Sequence, residues 1–254
     1  MDRLIARNIS VKTKDALILN DVSANFEPSS LNLIIGKNGS GKTQFLKTLL
    51  QLVAYSGHVK FGSTLIDSLT SNARAKLMCW LPTHVDLPFE FSCFDVIMMG
   101  RFALHEGRPE QSDFEICHHW IDELGLRNYA NRNYNNLSKG EQTKIQLARC
   151  IASESKIMLL DEICANLDIS ATISLLKFLR SHAREFEKTI ILSHHDIHTI
   201  YGYGDHIICL KDGMVIAEGS IKQVFTSDLL EKCYDLRVEI IEQTDAKIIK
   251  IPSS

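Results

Sequence analysis

The residues best equipped for chemistry are Gly36-Lys37-Asn38-Gly39-Ser40-Gly41-Lys42-Thr43, which fit G-x-x-x-x-G-K-[ST] in full. Glycines at this spacing let backbone N–H groups converge on phosphate oxygens. A helix opening behind the loop adds partial positive charge at the same point. Lys42 then reaches the β- and γ-phosphates, and the Thr43 hydroxyl is a ligand for Mg²⁺. A second candidate is the carboxylate pair Asp161-Glu162, which closes the apolar run Ile157-Met158-Leu159-Leu160. Asp161 is placed to hold Mg²⁺, and Glu162 to polarise an attacking water as general base. A strand ending in an acidic loop would look the same in isolation; downstream of a phosphate loop the pair acquires meaning. A third is Ser138 with Glu141 three residues on, a capping box that starts a helix. Its N-terminus, with Ser138 and the Gly140 backbone, suits a phosphate, although a cap and nothing more explains these residues alone. Histidines form a fourth group. His194 and His198 are spaced i, i+4, but no glutamate lies between them as in H-E-x-x-H and no third ligand is evident. His118-His119 reads as a solvated helix face.

These groups need elements to hold them. Leu31-Asn32-Leu33-Ile34-Ile35 reads as a buried strand feeding the loop. The helix after it should start near Lys42 and carry Phe45, Leu46, Leu49 and Leu50 on one face. A pair of short strands is expected over residues 57–67. Ile157–Leu160 and Thr189–Leu192 are apolar without alternation, as in parallel strands covered on both faces. His206–Leu210, Asp212-Gly213 and Met214–Ala217 predict a hairpin. Residues 86–149 read as helical: Phe114, Cys117, Ile121 and Leu124 recur at steps of three and four, and Gly125 follows as a C-terminal cap. Ile145, Ala148, Ile151 and Ala152 give the capped helix an apolar face. Val238–Ile241 and Lys247–Ile251 predict a small accessory piece.

Composition narrows the function. The 254 residues are 45% hydrophobic and 23% charged, which argues against disorder. A formal net charge of -3 argues against a broad polyanion-binding surface, so no nucleic-acid partner is expected. Seven cysteines without a CxxC read as reduced cytosolic thiols. No signal-like apolar core opens the chain and no run reaches spanning length. Attachment to a membrane would therefore come through another protein.

With the loop and the carboxylate pair in place, Leu137-Ser138-Lys139-Gly140-Glu141-Gln142 resembles the signature of the ATP-binding cassette family, close to L-S-G-G-E-Q, with Lys139 for the first glycine. Ala165-Asn166-Leu167-Asp168 resembles that family's D-loop, and Ile191-Leu192-Ser193-His194-His195-Asp196 its switch-histidine segment. The resemblance implies an α/β P-loop NTPase fold with a RecA-like core, an N-terminal antiparallel β lobe and a helical signature lobe. One cassette spans 1–254, with a core lobe over about 1–85 and 150–254 and a helical lobe over about 86–149. It implies ATP and Mg²⁺ as ligands, Lys42, Glu162 and His195 as catalytic, and Gly36 to Thr43, Ser138, Gly140 and Asp168 as ATP-binding. Thr43 and Asp161 are the expected Mg²⁺ ligands. Two cassettes would sandwich two nucleotides head to tail, with Ser138 on the partner's γ-phosphate.

Two positions depart from the family pattern. Thr13 stands where an aromatic side chain usually stacks on adenine. Thr83, in Trp80-Leu81-Pro82-Thr83-His84, stands where the Q-loop glutamine belongs; His84 is the candidate to take over part of that role. Leu87-Pro88-Phe89-Glu90-Phe91 and Asp95-Val96-Ile97-Met98-Met99-Gly100-Arg101 narrow the resemblance to cassettes that power import of ferric siderophores, haem and cobalamin. That implies permease subunits, a substrate-binding protein and a peripheral position on the cytoplasmic face of the inner membrane. Phe89 and Phe91 fit either permease contact or core packing. The alternatives are a manganese or zinc importer, an exporter, or a non-transport ABC ATPase. A single phosphate loop and the lack of sustained heptads weigh against the last, and the absence of N-K-x-D against a GTPase.

Overall fold

The structure is a computed structural model that describes residues 2–165, 167–196, 201–235, 237–243 and 246–250. Two compact units emerge, one of residues 1–69 with 168–254 and the other of 70–167.

The first unit holds two sheets. Strands β1 (Leu4–Lys12), β2 (Leu17–Phe26), β4 (Ser56–Phe61) and β5 (Thr64–Leu65) form an antiparallel sheet in the order β2-β1-β4-β5. Leu4 and Ala6, then Ile9 and Val11 beyond a register shift at Asn8, line the buried face of β1, as a half-covered strand requires. β3 (Leu31–Ile35) lies between β8 (Thr189–His194) and β9 (His206–Lys211), parallel to both. All five residues of β3 and all six of β8 are buried, which is why neither shows a period of two. β10 (Met214–Ser220) returns antiparallel to β9 through Asp212 and Gly213, both at positive φ, the twist a two-residue hairpin turn needs. Helices α1 (Lys42–Leu49) and α6 (Ile169–Glu185) complete the chain around these strands with α7 (Ile221–Val224) and α8 (Ser227–Tyr234). Phe45 of α1 stacks on Phe26 of β2, with ring centroids 6.1 Å apart. β11 (Glu239–Gln243) and β12 (Ala246–Lys250) pair as an antiparallel hairpin.

The second unit contains α2 (Ser71–Leu77), β6 (Met78–Leu81), α3 (Cys93–Met98), α4 (Gln111–Glu123), α5 (Lys139–Ala152) and β7 (Ile157–Asp161). β6 and β7 pair in parallel. Arg101 ties the helices together from inside. Its Nε donates to Asp113 at 2.8 Å, and its Nη1 donates to the Ala152 carbonyl at 2.6 Å and to Glu154 at 2.7 Å. Burial pushes the Asp113 carboxyl up, but the Glu110 amide and the Arg101 guanidinium outweigh it and hold it below the usual carboxylate range.

The expected strands, the 42–49 helix and the 206–217 hairpin are all present. Helicity over 86–149 is more broken than the sequence suggested: α3, α4 and α5 are separated by turns and short 3₁₀ segments. Phe114 was expected on the buried face of α4, yet it is 38% exposed and stacks on Phe94 at 6.1 Å, while Cys117 and Ile121 are buried. The helices α2, α6 and α8 carried no sequence signal strong enough to be placed.

Candidate functional site

In the first unit β3 delivers the chain into the glycine loop, and α1 takes it away. Gly36 sits where the backbones crowd: a Cβ there would lie 2.2 Å from the Leu210 carbonyl oxygen of β9. Gly39 and Gly41 have φ of 82° and 101°, a region that side-chain-bearing residues avoid. Their turns fold the loop back so that Lys42, only 4% exposed, places its ammonium 3.0 Å from the Gly36 carbonyl and 3.1 Å from that of Lys37. Two carbonyls thus hold the buried ammonium within the loop. The Ser40 hydroxyl is buried without a hydrogen-bond partner within the protein, an orphaned donor of the kind a ligand satisfies. Gly213, in the β9–β10 turn, donates to the Ser40 carbonyl at 3.2 Å and so props the loop from below. The sequence marked Gly213 as a turn residue only. Lys37 reaches outward and pairs with Asp235 at 2.8 Å.

Also in this unit, His195 follows the end of β8 and is exposed, while His194 is buried; their rings lie 5.8 Å apart. His198 and Asn166 lie outside the described residues. Asp168 caps α6, accepting from the Ala171 amide at 2.7 Å. Thr13 lies exposed in the β1–β2 turn, where its hydroxyl and Ala16 hydrogen-bond each other at 3.1 Å.

In the second unit β7 carries Asp161, 1% exposed, to its last position. Glu162 follows at φ 50°, a left-handed conformation that costs a non-glycine residue about 1–2 kcal/mol. Thr83 reaches Asp161 directly: its hydroxyl donates to Oδ2 at 3.4 Å. The sequence could name the missing glutamine but not this replacement contact. Thr83 and His84 also line a cavity of about 20 Å³ with Lys139, Gln142 and Gln146, room for about one water. Ser138 caps α5 as expected. It accepts from the Glu141 amide at 3.3 Å, and the Glu141 carboxylate takes the Ser138 amide and hydroxyl at 2.8 Å each. The Ser138 hydroxyl and amide hold the Glu141 carboxyl below its ordinary range. Ser138 and Lys139 are exposed, and Gly140 is half-buried. The described residues contain no cluster of three metal-binding side chains.

A strand, a glycine loop around a buried lysine and a helix match a known family over residues 19–165, that of ABC transporters. The chain belongs to the ABC transporter family. Cassettes of this family bind and hydrolyse ATP, and this cassette is an ATPase. It is 29% identical to the hemin import ATP-binding protein of Hydrogenovibrio crunogenus, over 94% of this chain and 95% of that one. With the iron(3+)-hydroxamate import ATP-binding protein of Bacillus subtilis it shares 28% identity over 95% and 91%. Among solved structures, a chain of an inward-facing ABC transporter, assigned to the metal-chelate type, superposes with a TM-score of 0.83 at 21% identity, covering 98% of this chain and 96% of that one. An ATP-binding cassette in its ADP conformation gives 0.78 at 20% identity, over 92% and 99%. The α/β cassette fold expected from the sequence is thereby established. Among the described residues of the cassette no helix is long and apolar enough to cross a membrane.

Proposed function

We propose that this cassette powers import of an iron chelate, haem or cobalamin through separate permease subunits, fed by a substrate-binding protein. The names of its relatives, which import hemin, hydroxamate-bound iron and petrobactin, support that choice of cargo. The observation that carries the chemistry is the loop of residues 36–43, where a buried Lys42 ammonium and an orphaned Ser40 hydroxyl face a ligand. Gly36 to Thr43 bind the phosphates of ATP. Thr43 and the buried Asp161 carboxylate, both hard oxygen donors, suit Mg²⁺, which when bound neutralises charge on the transferring phosphate. Glu162 accepts a proton from the attacking water, and His195 orients the γ-phosphate. The core lobe of about 1–85 with 150–254 carries the phosphate loop, and the helical lobe of about 86–149 carries Ser138 and Gly140.

Two cassettes close head to tail on ATP, so that Ser138, Gly140 and Asp168 of each meet the nucleotide of the other. Hydrolysis removes the γ-phosphate contacts and the pair opens. The permease side has a surface to meet: a cavity of about 500 Å³ lined by Phe91, Met98, Met99 and Phe102, with Phe89 69% and Phe102 67% exposed beside it. Phe89 is exposed and not part of the core, which supports the contact reading. The cassette lies peripherally on the cytoplasmic face of the inner membrane, held there by its permease.

Light scattering of Glu162→Gln with and without MgATP tests this reading. The expected result is a doubling of mass on ATP, reversed by Ser138→Arg, with turnover lowered by about 10²–10⁴. Normal hydrolysis in Glu162→Gln would remove the general-base assignment.

A further inference from the structure

The seven cysteines read as scattered reduced thiols in the sequence, yet two of them meet inside the first unit. Cys209 of β9 and Cys233 of α8 are both fully buried, and their sulfurs stand 2.6 Å apart. That is nearer the ~2.05 Å of a disulfide than the separation of two unlinked sulfur atoms. The position of the pair matters more than the pair itself. Cys209 is the register partner of Ile35, the residue that leads into Gly36. Its neighbour Leu210 supplies the carbonyl that crowds Gly36. On the other side, Cys233 lies two residues before Asp235, whose carboxylate holds Lys37 of the phosphate loop at 2.8 Å and Lys211 of β9 at 2.5 Å. Lys211 also donates to the Lys232 carbonyl at 2.7 Å, at the end of α8. The end of α8 is therefore fastened to the loop's own strand neighbour by one sulfur contact and two polar ones, and to the loop itself by a third polar contact.

We propose that Cys209 and Cys233 are an oxidisable dithiol whose disulfide staples α8 to β9 beneath the phosphate loop and thereby fixes Asp235 on Lys37. The oxidant class is a small peroxide. The Cys233 thiolate attacks one peroxide oxygen and gives a sulfenic acid and hydroxide. The Cys209 thiol then attacks that sulfur, forms the S–S bond and releases water, so that two thiols and one peroxide yield a disulfide and two waters. The chemistry favours Cys233 as the first nucleophile. The hydrogen bond from Cys209 lowers its pKa against the opposing effect of burial, and the lysines 211, 42 and 37 add to the lowering. The same contact pushes Cys209 up, which keeps it a thiol and a donor. Access comes by fraying of the α8 end: Lys37 and Asp235 are about half exposed, and surface ion pairs of this kind hold weakly.

The test uses the full chain treated with hydrogen peroxide, then alkylated, digested and mapped by mass spectrometry. The expected product is a linked pair of peptides containing Cys209 and Cys233, with both thiols lost to alkylation and restored by dithiothreitol. Oxidised protein should also unfold at a higher temperature than reduced protein, and Cys233→Ser should erase that difference while leaving the reduced midpoint close to the parent. Alkylation of both Cys209 and Cys233 under conditions that oxidise other cysteines would overturn the proposal. So would a thermal shift that persists in Cys233→Ser.

Discussion

Two helices begin at places the sequence marked for phosphate, and they begin differently. α1 starts at Gly41, in a left-handed conformation, with no side-chain cap and no acidic residue in its first turn. α5 starts at Ser138 with both halves of a capping box made and Glu141 in its first turn. The first end is left without a side-chain acceptor and has a buried ammonium beside it, an arrangement that favours an anion. The second satisfies itself: Glu141 supplies the negative charge a phosphate would supply. At its other end the Ala152 carbonyl is taken by Arg101. The contrast separates an end that favours an anion from an end that supplies its own carboxylate. The α5 end is satisfied by its own capping box, so under the proposed function its exposed Ser138 meets a phosphate only when one is presented from outside.

This contrast can be broken from the side of α5. Arg101→Leu leaves the Asp113 carboxylate buried without its guanidinium partner, and should cost about 3 kcal/mol in urea unfolding. The folded Asp113 carboxyl titrates below its ordinary value, so the stability it contributes is present above the normal carboxylate range. It is lost as pH falls through the depressed value. Unfolding followed as a function of pH should therefore show a shallower acid limb in the variant. From the side of α1, Lys42→Ala should weaken ATP binding roughly 100-fold by calorimetry, the worth of one or two charge-assisted hydrogen bonds, with circular dichroism unchanged. Gly41→Ala is a smaller disturbance of the same end. It places a side chain at φ 101° and a Cβ 2.6 Å from a Leu19 methyl carbon, and should lower stability by about 1–2 kcal/mol.

The smallest change sharpens the comparison most. Ser138→Asp keeps an N-cap acceptor but sets a second carboxylate against Glu141 in place of a donated hydroxyl, so it should cost about 1 kcal/mol in urea unfolding, as should Ser138→Ala through loss of the cap. ATP turnover should fall in Ser138→Asp, because a carboxylate repels phosphate. Turnover equal to the parent would mean that the α5 end meets no phosphate at all.

Local patterns carried much of this protein. The glycine loop, the apolar run into Asp161 and the Ser138–Glu141 box could be read from residues 36–43, 157–162 and 138–141, because each is a property of consecutive backbone: φ values only glycine tolerates, strands too apolar to be exposed, a helix end that closes on itself. Contacts that join distant segments had no such signature. Thr83 on Asp161, Gly213 beneath Ser40, Asp235 on Lys37 and Cys209 against Cys233 span 78, 173, 198 and 24 positions. Each follows from parallel strand order and helix placement, which neighbouring residues do not encode. The sequence by itself determined which groups could bind and cleave a nucleotide. Tertiary structure decided which side chains hold those groups, because a hydrogen bond or a sulfur contact depends on separation in space and is blind to separation along the chain.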